Sequence, residues 1–130
     1  MTMTDEAFEV QFANCTFPPE LFDHKAHIRL AWIHLKNYGL NQAIENLCTQ
    51  IQIYDRTHDE GIRYHATLTA AAVRIVHQCM RSTPTASFEQ LLNHYPELMT
   101  NLKGLISRQY SNELLGSERA KQEVLNPDLG

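Results

Sequence analysis

The chain has 130 residues, 43% of them hydrophobic, and a formal net charge of −4, which suits one domain around one packed core. No basic block stands out, because Arg74, Arg81, Arg119 and Lys121 are flanked by acidic or apolar residues, so a nucleic-acid role has little electrostatic support. The opening MTMTDEAFEV has no basic or apolar region of a signal peptide, and no apolar run approaches the ~20 residues that span a bilayer. Cys15, Cys48 and Cys79 are odd in number and lack C-x-x-C spacing, which argues against a disulfide framework and a thiolate zinc site. The expectation is a cytoplasmic protein with no membrane or nucleic-acid partner.

In chain order, the pattern predicts helices throughout. Thr4 caps a first helix over 5–14, with Phe8 and Phe12 inward. The prolines of FPPE, 17–20, end it and restart the chain as a single turn. Asp23 caps a helix over 24–38, and Phe22 can pack on position 27 as a hydrophobic staple. Its stripe runs through Ile28, Ala31, Leu35 and Tyr38, and Gly39 stops it. Asn41 is expected to cap a helix over 42–57 with Ala43, Ile44, Leu47, Ile51 and Tyr54 inward, before a THDEG loop at 57–61. A long helix over about 63–81 presents Leu68, Ala72, Ile75, Val76 and Cys79. Ser87 to Gln90 reads as a capping box for a helix over 88–95, and Pro96 breaks it. Further turns are expected around 105–110 and 113–124. The sum is an all-α fold: a compact single-domain helical bundle over 1–130, with an up-down-up core of three helices plus short N- and C-terminal helices.

That topology gives the histidines a shared address. The stretch FDHKAHIRLAWIHL, 22–35, carries His24, His27 and His34. An up-down-up core would bring the first turns of helices 24–38 and 63–81 to one end, and with them His24, His27 and His65, the loop residue His58, and Tyr54 and Asp55. His34 is ten residues from His24, about 15 Å along a helix, and stays outside that group. Burial and the positive end of a helix dipole both favour neutral imidazoles there. Neutral imidazoles can ligate a divalent metal, act as bases or accept hydrogen bonds. His24, His27 and His65 could supply three nitrogens to zinc, iron or manganese, with His58 as a fourth ligand. Trp32, Arg63, Tyr64 and Thr69 could line an adjoining pocket, Arg63 as an anion clamp and Tyr64 as a phenolic donor. There is no H-E-x-x-H, G-x-S-x-G, P-loop or G-x-G-x-x-G motif.

Several motifs extend beyond local patterning: F-D-H-K-A-H-I-R-L-A-W at 22–32, R-Y-H-A-T at 63–67, Y-S-N-E-L-L at 110–115, and N-P-D-L at 126–129. Together they resemble a family of small uncharacterised bacterial proteins with F-x-H-x-x-H-L-R-L-A-W, K-Y-H-E-T, Y-S-x-E-x-L and terminal P-D-L segments. The resemblance spans nearly the whole chain and implies that His24, His27, Trp32, Tyr64 and His65 belong to one site. It supplies no activity. This chain departs from the pattern at Ala66, where an acid is expected.

Two readings follow. In one, a histidine-lined pocket binds a small molecule, through a metal or as a metal-dependent enzyme. In the other, the histidines are structural and the protein is a non-catalytic protein-interaction module, with Leu114, Leu115, Val124 and Leu125 of the tail packing on a partner. The metal reading predicts imidazole nitrogens about 2.0–2.1 Å from a common zinc position. The structural reading predicts each imidazole bonded to a different backbone group.

Overall fold

The computed structural model describes residues 3–61 and 63–129. Among them every regular element is helical, and the fold is all-α. The chain divides into two compact units, Met1–Tyr64 and His65–Gly130.

The first unit holds α1 (Asp5–Ala13), a 3-10 turn (Pro19–Leu21), α2 (His24–Tyr38) and α3 (Leu40–Asp59). Each of these α-helices packs on the other two. The expected caps form: Thr4 Oγ1 accepts the Ala7 N–H at 3.1 Å, and Asp23 Oδ1 accepts that of Ala26 at 2.9 Å. α1 is pinned to α2 by Arg29, whose Nε and Nη2 both donate to Asp5 Oδ1, at 3.1 and 2.8 Å. The same Nη2 donates to the Met3 carbonyl at 2.6 Å, and the guanidinium lies 5.3 Å from the centre of the Phe8 ring.

Three expectations for this unit are corrected. Asn41 does not cap α3. Gly39 alone separates α2 from α3, at φ +83°, and its carbonyl accepts the Ala43 N–H. A positive φ lets glycine reverse the chain in one residue, so the helix starts before Asn41 is reached. At the other end α3 runs through most of the expected loop to Asp59, then stops at Glu60 and Gly61, both with positive φ. Tyr38, expected inward, is 47% exposed and bonds Glu9. The buried surface of α2 is instead nearly all-round from Leu30 to Leu35.

The second unit holds α4 (Ala66–Ser82), α5 (Phe88–His94), α6 (Glu97–Thr100), α7 (Leu102–Ser107), α8 (Asn112–Leu115) and α9 (Glu118–Gln122). α7 and α9 pack on α4, and α6 links α5 to α7. Ser87 caps α5 as expected, while the Gln90 side chain reaches back to the N–H of Ala86. α4 begins three residues later than the pattern predicts. Its buried face is Ala66, Thr67, Ala70, Ala71, Val73, Ile75 and Val76, and Leu68 turns outward at 38% exposed.

The tail folds back on itself. The Asp128 carboxylate accepts the Ser111 N–H at 2.8 Å and its hydroxyl at 2.5 Å, and the Leu129 N–H donates to the Gln109 carbonyl at 3.0 Å. These bonds hold the Asp128 carboxyl below its usual range. Arg74 of α4 donates to the Tyr110 hydroxyl at 2.7 Å. Thr67, fully buried, closes the arrangement: its hydroxyl donates to the Glu123 carbonyl at 2.6 Å and accepts the Leu125 N–H at 3.0 Å.

Thr67→Val keeps the shape of the side chain and removes that hydroxyl. It should cost roughly 1–3 kcal/mol, the penalty for backbone groups left unpaired, read as a lower urea midpoint with an unchanged slope. A variant as stable as the parent would mean that the hydroxyl does not hold the tail.

Candidate functional site

The R-Y-H motif falls at the boundary between the two units, with Arg63 and Tyr64 in the first and His65 in the second. Asp55, 7% exposed on α3, accepts the N–H groups of both Arg63 and Tyr64 on its Oδ2, each at 2.8 Å. Burial and a hydrogen bond to Cys48 push the Tyr64 phenol up, so it stays a neutral donor. The Arg63 side chain is exposed and ion-pairs with Asp59.

His65 is the N-cap of α4 and not part of its first turn. Its Nδ1 accepts the Leu68 N–H at 3.0 Å, and its Nε2 faces the Leu115 carbonyl at 2.8 Å. A carbonyl can only accept, so Nε2 carries the proton and Nδ1 offers its lone pair. Both nitrogens are thereby committed to backbone groups. Thr69 bonds back to the His65 carbonyl at 2.8 Å.

In the first unit, His27 and His58 join an aromatic cluster. The His27 ring stacks on Phe22 at 3.9 Å between centres, which is the staple contact expected from the sequence. Phe22 meets Tyr54 at 5.3 Å, and Tyr54 meets His58 at 4.5 Å. The Tyr54 hydroxyl donates to the Phe17 carbonyl at 2.6 Å, and His58 Nε2 donates to that of Cys15 at 2.9 Å. The two side chains tie α3 to the loop after α1, where Cys15 sits at φ +64°. His24 is exposed in the first turn of α2. Crowding of the ring, then the neighbouring His24, push the His27 pKa down from 6.5 to about 4, against a smaller opposing effect of Asp23. The residue keeps its outer face in water, and solvent screens part of that effect.

His34, which the spacing leaves out of any site, is the fully buried histidine of this unit. Its Nδ1 lies 3.3 Å from Asn46 Nδ2, and the Asn46 oxygen accepts from Gln42 at 2.7 Å. The asparagine is thus oriented to donate, which places the imidazole proton on Nε2, where no partner lies among the described residues. Burial pushes the His34 pKa down, with Glu9 acting weakly the other way. The available signal was the run LAWIHL, 30–35, which lacks any charge and therefore suggests a helix buried on every side.

Trp32 is also buried, with the Lys36 ammonium 4.2 Å from its ring centre. Of the residues singled out in the sequence, His24, His27, Trp32, His58, Arg63 and Tyr64 belong to the first unit, and His65 and Thr69 to the second. Among the described residues no three His, Cys, Asp or Glu are arranged to hold a metal ion. No protein-family model matches the chain, and no curated protein or solved structure matches it significantly.

His27 and His34 both have folded-state pKa values below the ordinary 6.5. Below that pH the unfolded chain binds more protons than the folded one, so stability should fall on acidification from about 6.5, and the His27 share should be spent near pH 4. His27→Phe keeps a ring on Phe22 and cannot titrate. Its melting temperature should drop less than the parent's between those two pH values. An equal drop would remove His27 from the account.

Proposed function

We propose that this protein is a non-catalytic interaction module of the cytoplasm, in which the histidines of the shared motifs hold the chain in place. The observation that carries this reading is His65, whose two ring nitrogens are both bonded to backbone groups. To ligate a metal it would have to release the N-terminus of α4 or the end of α8. His58 is engaged likewise through Nε2, and His27 lies flat on a phenyl ring. The resemblance to the small bacterial family fits the same reading, because residues of its separate motifs bond one another: His65 with the Leu115 carbonyl, and Asp128 with the Ser111 N–H.

None of the three cysteines forms a disulfide. No helix among the described residues is long and apolar enough to cross a membrane. In the tail, Leu114, Leu115 and Leu125 are half-buried, which leaves Val124 and Leu129 as its exposed apolar side chains.

The rival reading, a zinc, iron or manganese centre at His24, His27 and His65 serving a small-molecule substrate, is separated by metal analysis. Tag-free protein incubated with each metal and desalted should carry none near stoichiometry. His65→Ala should be less stable by roughly 1–3 kcal/mol, with both backbone groups left unpaired. Near-stoichiometric metal in the parent, lost in the His24→Ala/His65→Ala double variant, would overturn the proposal.

A further inference from the structure

The second unit contains a cleft of about 300 Å³ that no sequence motif marks. Its walls include Ile75 and Cys79 of α4, Tyr95 and Glu97 around the start of α6, and Leu105 and Arg108 at α7. Ile75 is buried, whereas Glu97 and Arg108 are exposed and stand at the rim.

The polar groups of this cleft sort into used and unused. The Tyr95 hydroxyl is bonded to that of Thr83 at 2.6 Å. Gln78 and Gln109 bond each other at 3.2 Å along the edge. The Glu97 carboxylate and the Arg108 guanidinium have no side-chain partner among the described residues, and no ion pair joins them. Two opposite charges therefore share one small cleft without closing on each other. Burial, and then the Glu97 charge, push the Cys79 thiol up. It stays protonated and acts as an apolar wall with Ile75 and Leu105, not as a nucleophile.

We infer that this cleft binds a small zwitterion, a free α-amino acid with an apolar side chain, whose carboxylate meets Arg108 and whose ammonium meets Glu97. Arginine matches a carboxylate with two parallel N–H donors, and Glu97 accepts from an ammonium. The side chain would then lie against Ile75, Leu105 and the Tyr95 ring. The volume of about 300 Å³ is at the small end of ligand pockets, which run from about 300 to 1,000 Å³, and suits a single amino acid. The inference goes beyond the reading of the protein as an interaction module. It uses none of the histidines, so it can fail while that reading stands.

The experiment is calorimetric titration of the full chain with L-leucine, N-acetyl-leucine and leucinamide. Saturable binding of leucine is expected, weaker by roughly tenfold or more for either derivative, each of which lacks one charge-assisted contact. Glu97→Gln and Arg108→Gln alter exposed side chains, and their melting curves should overlay the parent's. Each should lower leucine affinity by a similar factor, and Arg108→Gln should abolish the preference for leucine over leucinamide. The absence of saturable leucine binding to the parent would overturn the inference. So would binding that neither variant changes, or N-acetyl-leucine binding as well as leucine. Metal analysis of the same samples reports separately on the proposed function.

Discussion

The interaction on which the second unit depends is the imidazole of His65. A helix start leaves backbone N–H groups without partners, and Ser, Thr, Asp or Asn usually supplies the missing acceptor. Here a histidine does so through Nδ1 and uses its remaining N–H to hold the Leu115 carbonyl, fifty residues away in sequence. One neutral ring thus satisfies a donor at the start of α4 and an acceptor at the end of α8. No carboxylate or hydroxyl cap could do both, because a carboxylate has no proton to give and a hydroxyl is too short to bridge.

The same economy runs through the residues beside it. Asp55 gathers the N–H groups of Arg63 and Tyr64, while Thr67 serves as donor and acceptor for the returning tail. Asp128 closes the tail onto Ser111. The Thr67 and Asp128 contacts fix the tail around α8 and α9, four and five residues long, which are too short to be stable alone. His65, a site candidate in the sequence, here ties the start of α4 to the end of α8.

How far the sequence could be read follows from the range of each interaction. The caps at Thr4, Asp23 and Ser87 were legible, because a cap and its N–H lie within three residues of each other. So was the Phe22 and His27 staple. The start of α4 was not, because apolar spacing marks a face but not a first residue, and histidine is not an expected cap. Apolar spacing also put Leu68 inside, where Thr67 belongs, because a buried polar residue is not marked by hydrophobicity. The partners of His65, Thr67 and Ser111 are 50, 56 and 17 residues away, and no local pattern encodes such pairings. The role of each histidine depends on what its ring nitrogens face, and sequence does not carry that information. The cleft with Glu97 and Arg108 was invisible for the same reason, since its walls come from separated helices.

The most direct test is the tautomer of His65, read from long-range proton–nitrogen NMR correlations before and after addition of zinc. The structural account predicts a protonated Nε2 and a bare Nδ1 at neutral pH, with neither signal moved by zinc. A zinc-dependent shift of His65 together with His24 and His27 would contradict it and restore a metal centre.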